Sequence, residues 1–278
     1  MDGLLSGLES FGLKDLEGMS LFEEKKPAED QGAAAAPEVK EEDFLLEKTI
    51  QCPLCDEQFK TRAVKGGKAK LVGTDMDLRP RYQELDIVKY DVLLCPYCGY
   101  AALTRYFPSI LSSQAKKIKE KISPSFRGKK DLPEVYTYDE ALERYKMALV
   151  NAIVKGAKAS EKAYICLKSA WICRGKAEEL GEQSPDYAKF KAMDDEYTKN
   201  AYEGFVAAVS TESFPMCGMD EQTVNYLIGV LAFKTSHFDV ASKMIANILQ
   251  SNGASPRIKD KARDLKEEVL KAIAAIKK

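Results

Sequence analysis

Several features are scarce or missing in this chain of 278 residues, and each one excludes a class of function. His237 is the single histidine, so the chain has few candidate residues for a Ser-His-Asp triad or a histidine-rich metal centre. No stretch approaches the roughly 20 apolar residues that a membrane span needs, so we expect no membrane association. No glycine loop of the Walker type is present, which removes the usual signature of a nucleotide-binding enzyme.

A net charge of one sign is also nearly absent, because 42 basic residues accompany 43 acidic ones. This balance predicts no preference of the whole chain for nucleic acid or for a membrane surface. The charge is nevertheless uneven, since residues 1–43 carry 12 acids and 4 bases. We predict that this segment is a disordered acidic tail. Its apolar residues between positions 5 and 21 leave open a second interpretation, a short peptide that orders on a partner.

The N-terminus has no basic region before its first apolar residues, so it is not typical of a secretory signal. We therefore expect a cytoplasmic protein with reduced thiols. The odd number of seven cysteines also argues against a disulfide framework.

Four of the cysteines form two Cys-x-x-Cys pairs with 39 residues between them, Cys52 with Cys55 and Cys95 with Cys98. Two intervening residues let one tight turn present both sulfurs to the same ion, and zinc prefers four such ligands in a tetrahedron. We predict one structural Zn²⁺ on these four residues. Iron in a rubredoxin-like site, a redox dithiol and unconnected structural thiols remain alternatives. Because four protein ligands leave no open position for water, we expect no enzyme activity at the metal.

The residues around each pair suit such turns. Pro53 and Pro96 follow the first cysteine of each pair and fix the backbone there. Gly99 follows the second pair, where a positive φ is easily adopted by glycine. Asp56 stands at the equivalent place in the first pair, and aspartate tolerates this conformation better than most residues.

Residues 44–108 are predicted to form a zinc-ribbon-like domain containing the cysteines. Alternation of apolar residues from Val88 to Leu94 predicts a strand that leads into the second pair. Two further strands, QFKTRAV and KAKLV, are predicted to form a hairpin around Gly66 and Gly67. A basic linker, 109–136, follows.

From residue 137 onward the apolar period becomes 3.6, which predicts a helical domain, 137–278, of about six helices. The fold class is thus mainly α with a small β zinc-ribbon-like domain. Helix starts are indicated at Thr137, Ser184, Asp220 and Ser255 by capping residues, with Glu140 completing a capping box after Thr137.

The helices contain a degenerate repeat within residues 222–253. Small and apolar residues there follow the spacing of a tetratricopeptide (TPR) repeat, in which a glycine lets two helices approach closely. The matching positions are Ile228, Gly229, Ala232, Ala241 and Ile245. We predict a TPR-like helical hairpin array in the C-terminal half, with an ordinary helical bundle as the alternative.

The stretches TIQCPLCDEQFKTRAV and RPRYQELDIVKYDVLLCPYCGYAALTRYF carry a family resemblance. They resemble an uncharacterised family of bacterial proteins in which a zinc-ribbon-like segment with CPxC and CPxCGYA pairs precedes TPR-like helices. The resemblance covers roughly residues 44–270. It implies metal ligation by Cys52, Cys55, Cys95 and Cys98 and implies no catalytic residue. Asp56 departs from the glycine that the family pattern leads us to expect.

These observations favour a non-catalytic zinc-binding scaffold whose helical array binds an unidentified protein or peptide. The alternative is a nucleic-acid-binding protein that uses the ribbon and the basic linker. Aromatic residues that could stack on bases there are Tyr82, Tyr106 and Phe126. The remaining thiols and the histidine are expected to be structural or surface residues, namely Cys166, Cys173, Cys217 and His237.

Overall fold

Short strands come first along the chain and helices follow, as the change of apolar period predicts. A computed structural model describes residues 39–128 and 131–276. The strands in these ranges are β1 (Leu45–Gln51), β2 (Gln58–Val64), β3 (Leu71–Thr74), β4 (Pro80–Tyr82), β5 (Val92–Leu94) and β6 (Ala101–Leu103). The helices are α1 (Ser112–Lys121), α2 (Tyr138–Lys155), α3 (Ala159–Leu180), α4 (Tyr187–Val209), α5 (Glu221–Lys234), α6 (Phe238–Gln250) and α7 (Pro256–Ile276). The predicted fold class, mainly helical with small antiparallel strand pairs, is confirmed.

The strands pair as three separate antiparallel hairpins, β1 with β2, β3 with β4, and β5 with β6. The β1–β2 register runs from Leu45 opposite Val64 to Gln51 opposite Gln58. The predicted hairpin around Gly66 and Gly67 is therefore wrong. The two glycines lie in a turn, but this turn connects two different hairpins because β2 already has β1 as its partner.

The predicted strand from Val88 to Leu94 is correct only in its last three residues. Ile87–Tyr90 instead form a 3-10 helix, because the side chain of Asp86 accepts a hydrogen bond from the Val88 N–H at 3.0 Å and caps it. Burial does not follow the alternation either, because Val88, Lys89 and Tyr90 are all buried.

Most of the predicted helix starts agree with the structure. Thr137 Oγ1 accepts from the Glu140 N–H at 3.2 Å, and the Glu140 carboxylate accepts from the Thr137 N–H at 2.8 Å. Asp220 caps α5 in the same manner. The start predicted at Ser184 is early, since a turn intervenes and α4 begins at Tyr187.

The helices pack in sequence, and α3 with α4 form the most extensive pair. Small residues allow this approach: a Cβ added to Gly204 in α4 would lie 2.8 Å from the Cβ of Ala163 in α3. Gly229 in α5 faces α6, where an added Cβ would lie 3.3 Å from the Cβ of Met244. Ala241, the alanine of the predicted repeat, is fully buried.

The strands and the helices share a hydrophobic core. Val92 of β5 and Leu103 of β6 belong to the same buried cluster as residues of α2 to α7. The chain from Val39 onward is accordingly one compact unit. The predicted acidic tail lies outside the described residues as far as position 38. Its Glu41 pairs with Lys89 at 2.7 Å. The domain boundaries predicted after residues 108 and 136 remain predictions.

Within residues 39–128 and 131–276, no helix has both the length and the apolar composition that crossing a membrane requires.

The contact between Gly204 and Ala163 yields a stability prediction. Gly204→Ala would force α3 and α4 apart, so the free energy of unfolding should fall by about 1–3 kcal/mol. Urea denaturation followed by circular dichroism measures this loss. Gly66→Ala is the matched control, because an added Cβ there meets no atom within 4 Å and should change stability by less than about 0.5 kcal/mol. An unchanged Gly204→Ala midpoint would contradict the packing described here.

Candidate metal centre

All four sulfurs of the two Cys-x-x-Cys pairs lie together, within 4.8 Å of one another. Cys52 Sγ is 3.6 Å from Cys98 Sγ, and Cys55 Sγ is 3.7 Å from Cys95 Sγ. These separations are far longer than the roughly 2.0 Å of a disulfide bond. The structure therefore brings the predicted site residues into one cluster of thiols.

Each cysteine pair lies in the turn of a hairpin. The first lies between β1 and β2, and the second lies between β5 and β6. Two equivalent backbone hydrogen bonds close each turn. Asp56 N–H donates to Cys52 O at 2.9 Å, and Gly99 N–H donates to Cys95 O at 3.1 Å. Cys52 N–H donates to Glu57 O and Cys95 N–H donates to Tyr100 O, both at 2.9 Å. The two turns thus present their sulfurs from equivalent frames, although 39 residues separate them in the sequence.

The residue after each pair has a positive φ, 62° at Asp56 and 75° at Gly99. The expectation that aspartate adopts this conformation in the first turn is confirmed. Gly99 carries a second constraint, because an added Cβ would lie 2.6 Å from the Phe126 ring. The second turn therefore requires glycine for its conformation and for its packing.

Two polar side chains that sequence reasoning missed hold the second turn in place. Ser123 Oγ donates to the Cys98 carbonyl at 2.8 Å, and Asn151 Nδ2 donates to the Gly99 carbonyl at 3.0 Å. Asn151 is fully buried on the core side of α2. A polar residue among the small apolar residues of that helix face was the available signal, because buried amides require partners.

An apolar cluster surrounds the sulfurs and joins the two turns to α1. Phe59 from β2 packs edge-on against Phe107, with ring centroids 5.9 Å apart. Ile118 of α1 and Leu54 of the first turn are buried in the same cluster. Cys52 and Cys95 are fully buried and Cys55 is half-buried, so water has little access to the site.

The thiols influence one another's ionisation. Hydrogen bonds from Cys52 and Cys98 lower the pKa of Cys95 to about 4. The pKa of Cys98 is raised, because its sulfur hydrogen-bonds to Cys52 and Cys95 and a second thiolate would face the first. The two thiols of the second turn are thus shifted in opposite directions, because they share hydrogen bonds within one cluster.

The arrangement fits a tetrahedral metal ion. A tetrahedron with metal–sulfur distances of about 2.3 Å has sulfur–sulfur edges of about 3.8 Å. The two shortest separations, 3.6 and 3.7 Å, agree with such edges. The four cysteines are thus compatible with a metal site in both chemistry and geometry.

The other thiols and the histidine lie away from this cluster. Cys166 and Cys173 are buried in α3, and burial raises the pKa of Cys166 to about 11 and that of Cys173 to about 12. Cys217 is also buried, and its thiol donates to the Ser160 carbonyl at 3.3 Å. His237 stands at the start of α6 with its ring 4.7 Å from that of Tyr202.

Alanine placed directly after each cysteine pair should reduce stability by different amounts in the two turns. Gly99→Ala should reduce the free energy of unfolding by about 2–5 kcal/mol, because a left-handed backbone and a clash with Phe126 add together. Asp56→Ala gives up only the better tolerance of aspartate for a left-handed backbone, so we expect a smaller loss of about 1 kcal/mol. Chemical denaturation of the two variants measures the difference. Equal losses would contradict the packing role of Phe126.

A comparison with models of known protein families finds one that matches residues 45–269. No curated protein and no solved structure matches the chain. The matched range includes both cysteine pairs and agrees with the extent of the resemblance noted in the sequence. The chain therefore belongs to the family described as "Uncharacterized protein conserved in bacteria (DUF2225)".

Proposed function

We propose that this protein is a non-catalytic zinc-binding scaffold of the bacterial cytoplasm, whose helices bind a protein or peptide partner. The observation that carries the proposal is the buried cluster of four sulfurs within 4.8 Å. Cys52, Cys55, Cys95 and Cys98 would hold the ion and fix the two hairpin turns relative to each other.

Zinc is preferred to iron because its tetrahedral thiolate sites are the common structural choice in reduced compartments. A metal with four thiolate ligands supplies structure and no reactive water, since the coordination sphere has no open position. This supports a binding role in place of an enzymatic one.

The helices are proposed to form a TPR-like array. Close helix pairing at Gly204 and at Gly229 supports this proposal, as does the burial of all five repeat positions. Stacked helical hairpins create an extended face, and such faces commonly bind segments of other proteins.

Metal content tests the site directly. Chain purified from a bacterial host should contain one zinc per chain by elemental mass spectrometry. Cys52→Ser and Cys95→Ser should each lose most of the metal and lower the melting temperature, because each removes a ligand. Cys166→Ser is the matched control, a buried thiol outside the cluster that should retain the metal. If the chain contained stoichiometric iron, iron would be the proposed metal. If the chain were fully stable without any metal, the proposal would be contradicted.

Nucleic-acid binding is the other candidate, and the exposed lysines of α1 are the feature that favours it. They are Lys116, Lys117, Lys119 and Lys121. If these four residues bind phosphates, affinity for mixed RNA should fall roughly 50- to 150-fold between 50 and 200 mM salt. Replacement of all four by alanine should remove most of that dependence.

The scaffold proposal predicts the opposite result in the same filter-binding assay. RNA should bind weakly at both salt concentrations, and the chain should retain a protein from cytosol after nuclease treatment. Tight, salt-dependent RNA binding that the alanine variant loses would favour the second candidate.

A further inference from the structure

The turn between β3 and β4 buries charged side chains against the helices. This segment, residues 75–79, has the sequence DMDLR. Asp77 is 0% exposed and Arg79 is 2% exposed. Buried ions carry a large desolvation cost, so such residues persist only where partners surround them. The identity of these partners indicates what the helical surface recognises.

Two helices supply cations to Asp77. Arg174 of α3 and Lys234 of α5 each lie 2.7 Å from its Oδ2. Burial acts to raise the pKa of Asp77, but Arg174 and Lys234 outweigh it and hold the pKa well below its usual range. Asp194 of α4 binds Arg174 from the other side at 3.0 Å and fixes the guanidinium group.

The helices also contact the turn through groups that do not depend on the carboxylates. The hydroxyl group of Tyr226 in α5 donates to the Met76 carbonyl at 3.0 Å. Lys261 of α7 donates to Thr74 Oγ1 at 3.2 Å. A main-chain carbonyl is thus bound together with acidic side chains, as occurs when a protein surface binds a peptide.

The basic residues at the end of the turn and directly after it, Arg79 and Arg81, contact acidic side chains. Arg81 contacts Glu178 of α3 at 2.6 Å, and Arg79 contacts the same carboxylate at 3.3 Å. Arg79 also pairs with Asp86 at 2.7 Å. The guanidinium group lies close to the α3 backbone, because a Cβ added to Gly175 would be 2.7 Å from Arg79 Nη2. The acidic side chain of Asp77 therefore meets Arg174 and Lys234 on the helices, and the basic side chains after it meet Glu178.

The end of the hairpin that lies away from the turn is weakly held. Leu71 and Val72 of β3 are 50% and 60% exposed, and the β3–β4 register is irregular between Leu71 and Gly73. Gly66 and Gly67, before β3, have no neighbour that an added Cβ would meet within 4 Å. A two-stranded hairpin has little stability of its own. Its position therefore depends on the contacts of its tip.

We propose that the helical face formed by Arg174, Glu178, Tyr226, Lys234 and Lys261 recognises a peptide with the pattern Asp-x-Asp-x-Arg, and that the β3–β4 turn occupies this face in cis. A partner would bind by presenting a similar segment and displacing the turn. This inference rests on the proposed function and names the partner's chemistry and the surface that binds it.

A labelled peptide of residues 73–82, GTDMDLRPRY, tests the face without knowledge of the partner. The triple variant Met76→Gly/Asp77→Gly/Leu78→Gly removes the anchoring side chains of the turn and should expose the face. Fluorescence anisotropy should detect peptide binding to this variant. Wild-type chain should bind at least tenfold more weakly, because its own turn competes.

Two matched controls address specificity. A peptide with asparagine in place of the second aspartate should bind about tenfold or more weakly, since it loses a charge-assisted contact. Adding Lys234→Ala to the triple variant should weaken the unaltered peptide to a similar degree. A triple variant that keeps its helicity and binds no peptide would overturn the proposal.

Hydrogen exchange of the wild-type chain gives a second measurement, which tests the proposal even if the triple variant does not fold. Amides of residues 71–82 should exchange through a local opening that costs less free energy than opening of α3 and α5. If the amides of this segment exchanged only when α3 and α5 open, the turn would be a permanent part of the core and the proposal would be overturned. Both measurements use the chain's own sequence and need no partner. If the chain captured no protein from cytosol, the proposed function would be contradicted and this inference would not be affected.

Discussion

The convergence of four cysteine sulfurs in one buried cluster is the constraint on which the N-terminal half depends. Four sulfurs converge within 4.8 Å, an arrangement that is compatible with four ligands of one tetrahedral ion. The equivalent hydrogen bonds of the two turns, the positive φ values at Asp56 and Gly99, and the support from Asn151 all serve to keep the sulfurs in that arrangement. A small apolar cluster completes the frame, so the position of the sulfurs and the local packing depend on the same contacts.

Features determined by neighbouring residues could be predicted from the sequence. The capping box at Thr137, the cap at Asp220 and the left-handed conformation of Asp56 each depend on at most three intervening residues. The convergence of the cysteine pairs was also predictable, because metal chemistry supplies a long-range rule that local propensity lacks. The helical class followed from apolar period, which reports the buried side of each helix.

Pairings between distant segments could not be predicted in this manner. The partner of β2 was misassigned because two plausible strands flanked a glycine turn, whereas β1 lay on the other side of the first cysteine turn. Arg174 gave a weak signal, a charge directly after the apolar run AWIC, yet nothing near it in the sequence identified Asp77 as its partner. Charge complementarity over 97 residues is visible only in three dimensions.

The pairing of Asp77 with Lys234 has a consequence for the order of events during biosynthesis. These residues are 157 positions apart. At translation rates of about 5–20 residues per second, the aspartate waits roughly 8–30 s for its lysine to be made. Both cysteine turns are complete before Lys234 is made, the first of them before Asp77 itself, so their sulfurs can converge first. The two cysteine turns would then come together while the acidic tip is still hydrated, and the C-terminal helices would complete the molecule around them.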